Sequence, residues 1–139
     1  MKIQHLIFVM IAVLTGCTTP PVKQTVPFNE ASFARFERPG TATISGEAFL
    51  RKRNGELALG AGRTVYLMPA TGYTEERGKI MFEMKEPEPA DPRLAKYVRS
   101  TRADSQGRFT FTRLPMGMYI LYCKITWTLP AVKRGWQHL

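Results

Sequence analysis

The alternation of apolar and polar positions is clearest over residues 97–127. Phe109 and Phe111 share one face of one run, and Tyr119, Leu121, Cys123, Ile125 and Trp127 share one face of the next. A shorter run beginning at Tyr97 precedes both. A period of two belongs to a strand that lies with one face on a core. The runs are separated by Asp104, Ser105, Gln106 and Gly107, then by Leu114, Pro115, Met116 and Gly117. The first break suits a tight turn, because an aspartate carboxylate accepts from the backbone two residues on and glycine tolerates positive φ. The spacing predicts three strands in an antiparallel meander with an aromatic inner face.

Upstream, Ile44, Gly46 and Ala48 alternate with Thr43, Ser45, Glu47 and Phe49. Gly46 inside this strand marks a bulge or a close approach of another group. Arg51-Lys52-Arg53 leads into Asn54-Gly55, which predicts a hairpin with a type I′ turn and a return strand over residues 56–60. Gly60-Ala61-Gly62 breaks that strand, and residues 63–68 resume with Val65 and Leu67 opposite Thr64, Tyr66 and Met68. Residues 71–96 differ. Thr74 can cap a helix with Glu75 and Glu76 in its first turn, whereas Pro87, Pro89 and Pro92 prevent a regular element. A connection of this length is a functional surface or an elaborated crossover. Strands at intervals of roughly ten residues predict an all-β, antiparallel β-sandwich of about six to seven strands, with one short helix in an insertion.

The first forty residues read differently. Lys2 precedes an apolar run over residues 6–14, too short for the roughly 20 residues a membrane-spanning helix needs and proportioned like a secretory signal. Residues 18–27 are rich in proline and threonine, and predict an extended tether able to reach roughly 30 Å at about 3.1 Å per residue. Asn29 can cap a short helix carrying Phe33 and Phe36, whose rings are expected to dock on the domain, and Pro39-Gly40 would end it.

With 139 residues, 44% of them hydrophobic, the chain has room for one domain and a terminal extension. A net charge of +9 favours anionic surroundings such as phospholipid headgroups, lipopolysaccharide or acidic glycans. The positive residues are scattered. Arg51, Lys52 and Arg53 form their densest run and are the candidate anionic-ligand contacts, with Tyr66 and Tyr73 as candidate exposed aromatics. That run is far from a nucleic-acid module, and no nucleic-acid partner is expected. Cys123, on an apolar strand face, is expected to be a buried small hydrophobe. Beyond the signal segment the lone histidine is His138, which speaks against a histidine-rich zinc site or a serine-histidine-aspartate set. Glu75, Glu76, Glu83, Glu86, Glu88 and Asp91 lack calcium-loop spacing and read as solvated charge. No catalytic residue, metal or cofactor is expected, and the chain is not expected to be an enzyme.

Two resemblances add to this. Leu14-Thr15-Gly16-Cys17 resembles the lipobox of bacterial lipoproteins, which implies cleavage before Cys17, acylation of Cys17 and attachment to a membrane through its acyl chains. Two or more acyl chains anchor a protein stably. Thr18, where an acidic residue would favour inner-membrane retention, resembles outer-membrane sorting. The stretches beginning at Gly40, Gly60 and Ala103, the last reading Ala-Asp-Ser-Gln-Gly-Arg-Phe-Thr-Phe-Thr-Arg-Leu-Pro-Met-Gly-Met-Tyr, look like a carboxypeptidase regulatory-like domain. That family implies a transthyretin-like, immunoglobulin-like sandwich of seven strands. Residues 128–139 leave little room for its closing strand, so an open sheet edge is expected. Tyr97-Val98-Arg99-Ser100 only echoes the ending of hydroxyisourate hydrolases and lacks their histidines.

The chain then divides into a signal peptide over residues 1–16, a lipidated tether and linker over 17–40, and a sandwich over 41–139. The expected role is that of a non-enzymatic, membrane-anchored envelope lipoprotein, placed at the outer membrane, whose sandwich serves structure or protein interaction. The alternatives are a glycan- or lipopolysaccharide-binding module using the basic hairpin, and a lipoprotein anchor of a secretion machine such as the type VI system.

Overall fold

The computed structural model describes residues 19–126. Among the described residues seven short strands are formed: β1 (Ala42–Glu47), β2 (Phe49–Arg51), β3 (Leu57–Leu59), β4 (Thr64–Pro69), β5 (Arg99–Arg102), β6 (Arg108–Leu114) and β7 (Tyr119–Cys123). They are accompanied by one α-helix, α1 (Gly72–Phe82), and by 3-10 helices at Glu30–Phe36 and Pro92–Lys96. The expected all-β body is therefore corrected to a mixed fold of short antiparallel sheets and helices, and the sheets do not close into a clean sandwich. They pair as β1-β6, β2-β3 and β5-β4-β7.

The strand order also corrects the predicted meander. The turn at Asp104 forms as its residues require: the carboxylate accepts from Gln106 N and Arg108 N, and Gly107 has φ +80°. Yet β5 pairs with β4 while β6 pairs with β1, so this turn carries the chain from one sheet to another. After the next turn, β7 returns to β4. The core lies between the pair β1-β6 and the three-stranded sheet, where Val65, Leu67, Ala103, Phe111 and Leu114 are buried with Ile44, Phe109, Tyr119 and Cys123 packed around them. Burial raises the Cys123 thiol pKa above its ordinary value.

Strict alternation in β6 would place Arg113 beside Phe109 and Phe111. Between the Ala42–Leu114 and Ile44–Phe111 pairs, however, the register shifts, and Arg113 adopts φ +57°. This bulge re-aims the strand so that Leu114 goes inward and Arg113 stays in water. Gly46, opposite Phe109, allows a close approach: a Cβ there would meet the Phe109 ring at 2.8 Å. The β2-β3 hairpin also departs from expectation. Asn54 does not have positive φ, Gly55 does at +88°, and Gly55 N donates to Lys52 O, so this is a type I turn closed by a left-handed glycine rather than type I′.

The largest difference lies in residues 22–37. The reach predicted for a free tether fails from Val22 onward, because the chain is bolted to the body. Val22 N donates to Glu86 O at 2.7 Å, and Glu88 N donates back to Val22 O at 2.9 Å. Gln24 is buried, with its amide nitrogen donating to Tyr73 O, and Arg77 donates to both Gln24 Oε1 and Glu88 O. The Glu76 carboxylate accepts from Thr25 N, Thr25 Oγ1 and Val26 N. Beyond this strap a second core forms from Phe33, Tyr73, Leu94 and Tyr97. Phe33 stacks between Phe28 and Tyr97, with ring centroids at 4.8 and 4.6 Å. The expected docking of the linker aromatics is thus seen, and Asn29 caps their helix by accepting from Ala31 N. Helix α1 is capped by Thr71, three residues before the predicted Thr74, which instead completes a capping box and donates to Pro69 O.

Candidate functional site

The three-stranded sheet turns Val65 and Leu67 to the core, so Thr64, Tyr66 and Met68 face outward. At one end of this outer face α1 covers the sheet, with Gly78 against Ile120 and Met68 buried. At the other end nothing among the described residues covers it. There Tyr66 lies opposite Tyr122, its cross-strand partner, with ring centroids 6.3 Å apart and planes tilted by 33°. Both rings are substantially exposed, at 40% and 37%.

Register brings basic residues to the same end. Thr64 pairs with Arg102 on β5, and Lys124 follows Tyr122 by two residues, just beyond the end of β7. Arg63 leads into β4 and donates to Thr126 Oγ1 at 2.9 Å. With Gly62, Thr64 and Thr126 these residues line a shallow concavity of about 650 Å³. Its lining contains no carboxylate, and among the described residues none of Arg63, Arg102 and Lys124 forms a salt bridge.

This arrangement presents two π faces, whose negative quadrupole attracts polarised C–H groups, beside cations that stay hydrated and free to meet an anion. A flat, polar, negatively charged ligand can lie on the rings and place its acidic groups on the arginines and the lysine. An open trough exposed to water does not surround a ligand as a drug-sized pocket does, and it suits a polymer lying across the sheet.

No family model matches the chain, and no curated protein matches it in sequence. Among solved structures it is similar to a protein from Pseudomonas aeruginosa that is provisionally described as carbohydrate-binding. The two are 29% identical, the similarity covers 76% of this chain and 78% of the other, and the TM-score is 0.64. The likeness supports a related domain with a β-sandwich-type body.

The residues singled out in the sequence take different places. Cys17 and His138 lie outside the described residues. Arg51, Lys52 and Arg53 sit at the end of the β2-β3 hairpin, in a different sheet from Tyr66. Lys52 is engaged by Glu56 at 3.3 Å, while Arg51 and Arg53 are exposed. Tyr66 is exposed as expected. Tyr73 is not, because it belongs to the second core and accepts from Asp91 N with its hydroxyl. Four of the acidic residues of the insertion are engaged by neighbours in the fold. Glu76 and Glu88 hold the strap, Glu83 pairs with Lys85, and Asp91 caps the second 3-10 helix while pairing with Arg93. Among the described residues no group of three or more histidines, cysteines and carboxylates could hold a metal ion. Tyr122, Arg63, Arg102 and Lys124 were missed by sequence reasoning. The available signal was the second face of the last strand, where Ile120, Tyr122 and Lys124 alternate with the apolar set.

Proposed function

We propose that this protein is a non-catalytic, lipid-anchored module of a bacterial envelope that binds acidic glycans across the Tyr66–Tyr122 face. The observation that carries the reading is the exposed cross-strand tyrosine pair, flanked by Arg63, Arg102 and Lys124 with no carboxylate in the trough. The structural similarity to a protein provisionally described as carbohydrate-binding supports it. The glycan-binding alternative is thereby preferred to a purely structural or protein-binding role, with the site moved from the basic hairpin to the sheet. The sequence resemblances supply the finer parts: a transthyretin-like, carboxypeptidase regulatory-like body, and acylation of Cys17 with outer-membrane sorting.

Isothermal titration with a uronic-acid oligosaccharide and its neutral counterpart tests the site. Replacing Tyr122 by Ala is expected to weaken binding about tenfold, equivalent to about 1.4 kcal/mol. Replacing Arg63 and Arg102 by Gln is expected to remove the preference for the acidic ligand and flatten its salt dependence. Replacing Arg51 and Arg53 by Gln should leave both unchanged. Equal binding by wild type and the Tyr122→Ala variant would sink the proposal.

A further inference from the structure

The C-terminal end of α1 carries two large apolar side chains that the fold leaves in water. Phe82 is 89% exposed and Met84 is 93% exposed. The helix ends in a Schellman motif, with Lys85 N donating to Ile80 O and Met84 N to Met81 O. The motif needs a left-handed residue at its turning point, where glycine is favoured, yet Met84 occupies it with φ +58°. The position therefore carries a strained backbone and an exposed apolar side chain together, and neither contributes to packing within the chain. The left-handed turn itself closes the helix, but an exposed methionine in place of glycine there serves nothing within the fold and points to use elsewhere.

The corner lies where the N-terminal chain leaves the body. Val22, the first pinned residue of the strap, bonds to Glu86 two residues beyond Met84. From Val22 back to Cys17 is a span of five residues, at most roughly 17 Å when fully extended. If Cys17 is acylated, this corner is held near the bilayer, and the free reach is about half that of a tether running to Pro27. Around the corner Lys79 and Lys85 stand against Glu83 and Glu86, with Lys85 paired to Glu83 at 2.7 Å, so the polar rim carries charges of both signs and no net charge. A bared phenylalanine and methionine beside hydrated charges of both signs match the apolar layer and the zwitterionic headgroups of a phospholipid interface.

We infer that Phe82 and Met84 form the lipid-facing corner of the anchored protein, seated among the phospholipids of the leaflet that holds Cys17. This rests on the proposed acylation of Cys17. The glycan face on β4 and β7 then belongs to a body held close to the membrane in a restricted orientation, rather than swinging on a long tether.

The test uses the full acylated chain in phosphatidylethanolamine–phosphatidylglycerol vesicles, with p-benzoylphenylalanine replacing Phe82, Met84 or Leu57 one at a time. Leu57 is the control, because it is also exposed and apolar but lies on the β2-β3 hairpin. After irradiation, mass spectrometry is expected to find phospholipid adducts at positions 82 and 84, at least several-fold above position 57. Absence of adducts at 82 and 84 in a chain whose Cys17 carries its acyl groups would overturn the inference and leave the anchoring intact. So would stronger labelling at 57, or cross-links from 82 and 84 to protein alone. An unmodified Cys17 would overturn both.

Discussion

Met84 shows how a single residue can oppose its own position. An L-residue in the left-handed region costs roughly 1–2 kcal/mol, and glycine recovers that strain while giving back part of it through the entropy of the unfolded chain. Met84→Gly is therefore expected to stabilise the fold by about 0.5–1 kcal/mol, read as a higher urea midpoint with an unchanged slope. A lower midpoint would show that Met84 packs in some way its 93% exposure does not suggest. Arg113 is the opposite case. It also has positive φ, but its bulge delivers Leu114 to the core at 1% exposure, so the strain has a structural return. Gly107 is constrained more tightly than either, since a Cβ there would lie 2.6 Å from Ala48 O. Of these features only the glycine turn was legible in the residues themselves, because an αL methionine or arginine leaves no compositional mark.

At the scale of elements, the strap over residues 22–26 is held by polar contacts from α1 rather than by periodicity. Glu76 is its clamp, and the hydrogen bond from the Thr25 side chain, then those from Val26 N and Thr25 N, lower its pKa below the ordinary value of 4.5. A carboxylate depressed in the folded state contributes stability above the unfolded pKa and loses it as pH falls through the folded value. The strap is therefore expected to loosen below about pH 4.5, while remaining closed at neutral pH. Amide protection factors for Thr25 and Val26 should fall between pH 6 and pH 3, and Glu76→Gln should lower them already at pH 7. Unchanged protection across that range would show that Gln24 and the Val22 backbone bonds hold the strap alone. The proline- and threonine-rich composition of this segment predicted a free tether because its partners, Glu76, Arg77 and Glu86, lie about fifty or more residues away in sequence.

At the scale of the whole molecule, the described residues form two cores that share the chain but not their residues. The first joins β1-β6 to β5-β4-β7, and the second binds the first 3-10 helix to α1 and to the residues preceding β5. Phe33, with no exposed surface, is the centre of the second. Phe33→Ala is expected to cost about 3–5 kcal/mol by urea denaturation and to release residues 22–37 first in hydrogen exchange. Binding at Tyr66 and Tyr122 should survive under native conditions, because neither tyrosine contributes to that core. Loss of binding in a variant that remains folded would show that the two units are coupled. The charge of +9 adds a long-range attraction for anionic ligands that weakens with salt, whereas stacking on the tyrosines does not.

What the sequence by itself determined was local. The inward alternation of Val65 with Leu67, the turn residues at Asp104 to Gly107, the Asn29 cap and the glycine of the hairpin are each set by neighbours a few positions away. Tyr66 was legible for the same reason, as the outward residue of an alternating strand. Tertiary structure decided which strands became partners. The turn after β5 changes sheets, β7 returns to β4, and only that pairing sets Tyr122 opposite Tyr66 with Arg102 and Lys124 at the same end. It also decided that Leu121, on the inward side of β7, is 44% exposed, because among the described residues β7 pairs on one side only. The division follows from range. Backbone preference and side-chain period act over one turn or one strand, while a binding face and a docked strap need contacts between segments whose spacing in sequence carries no periodic signal.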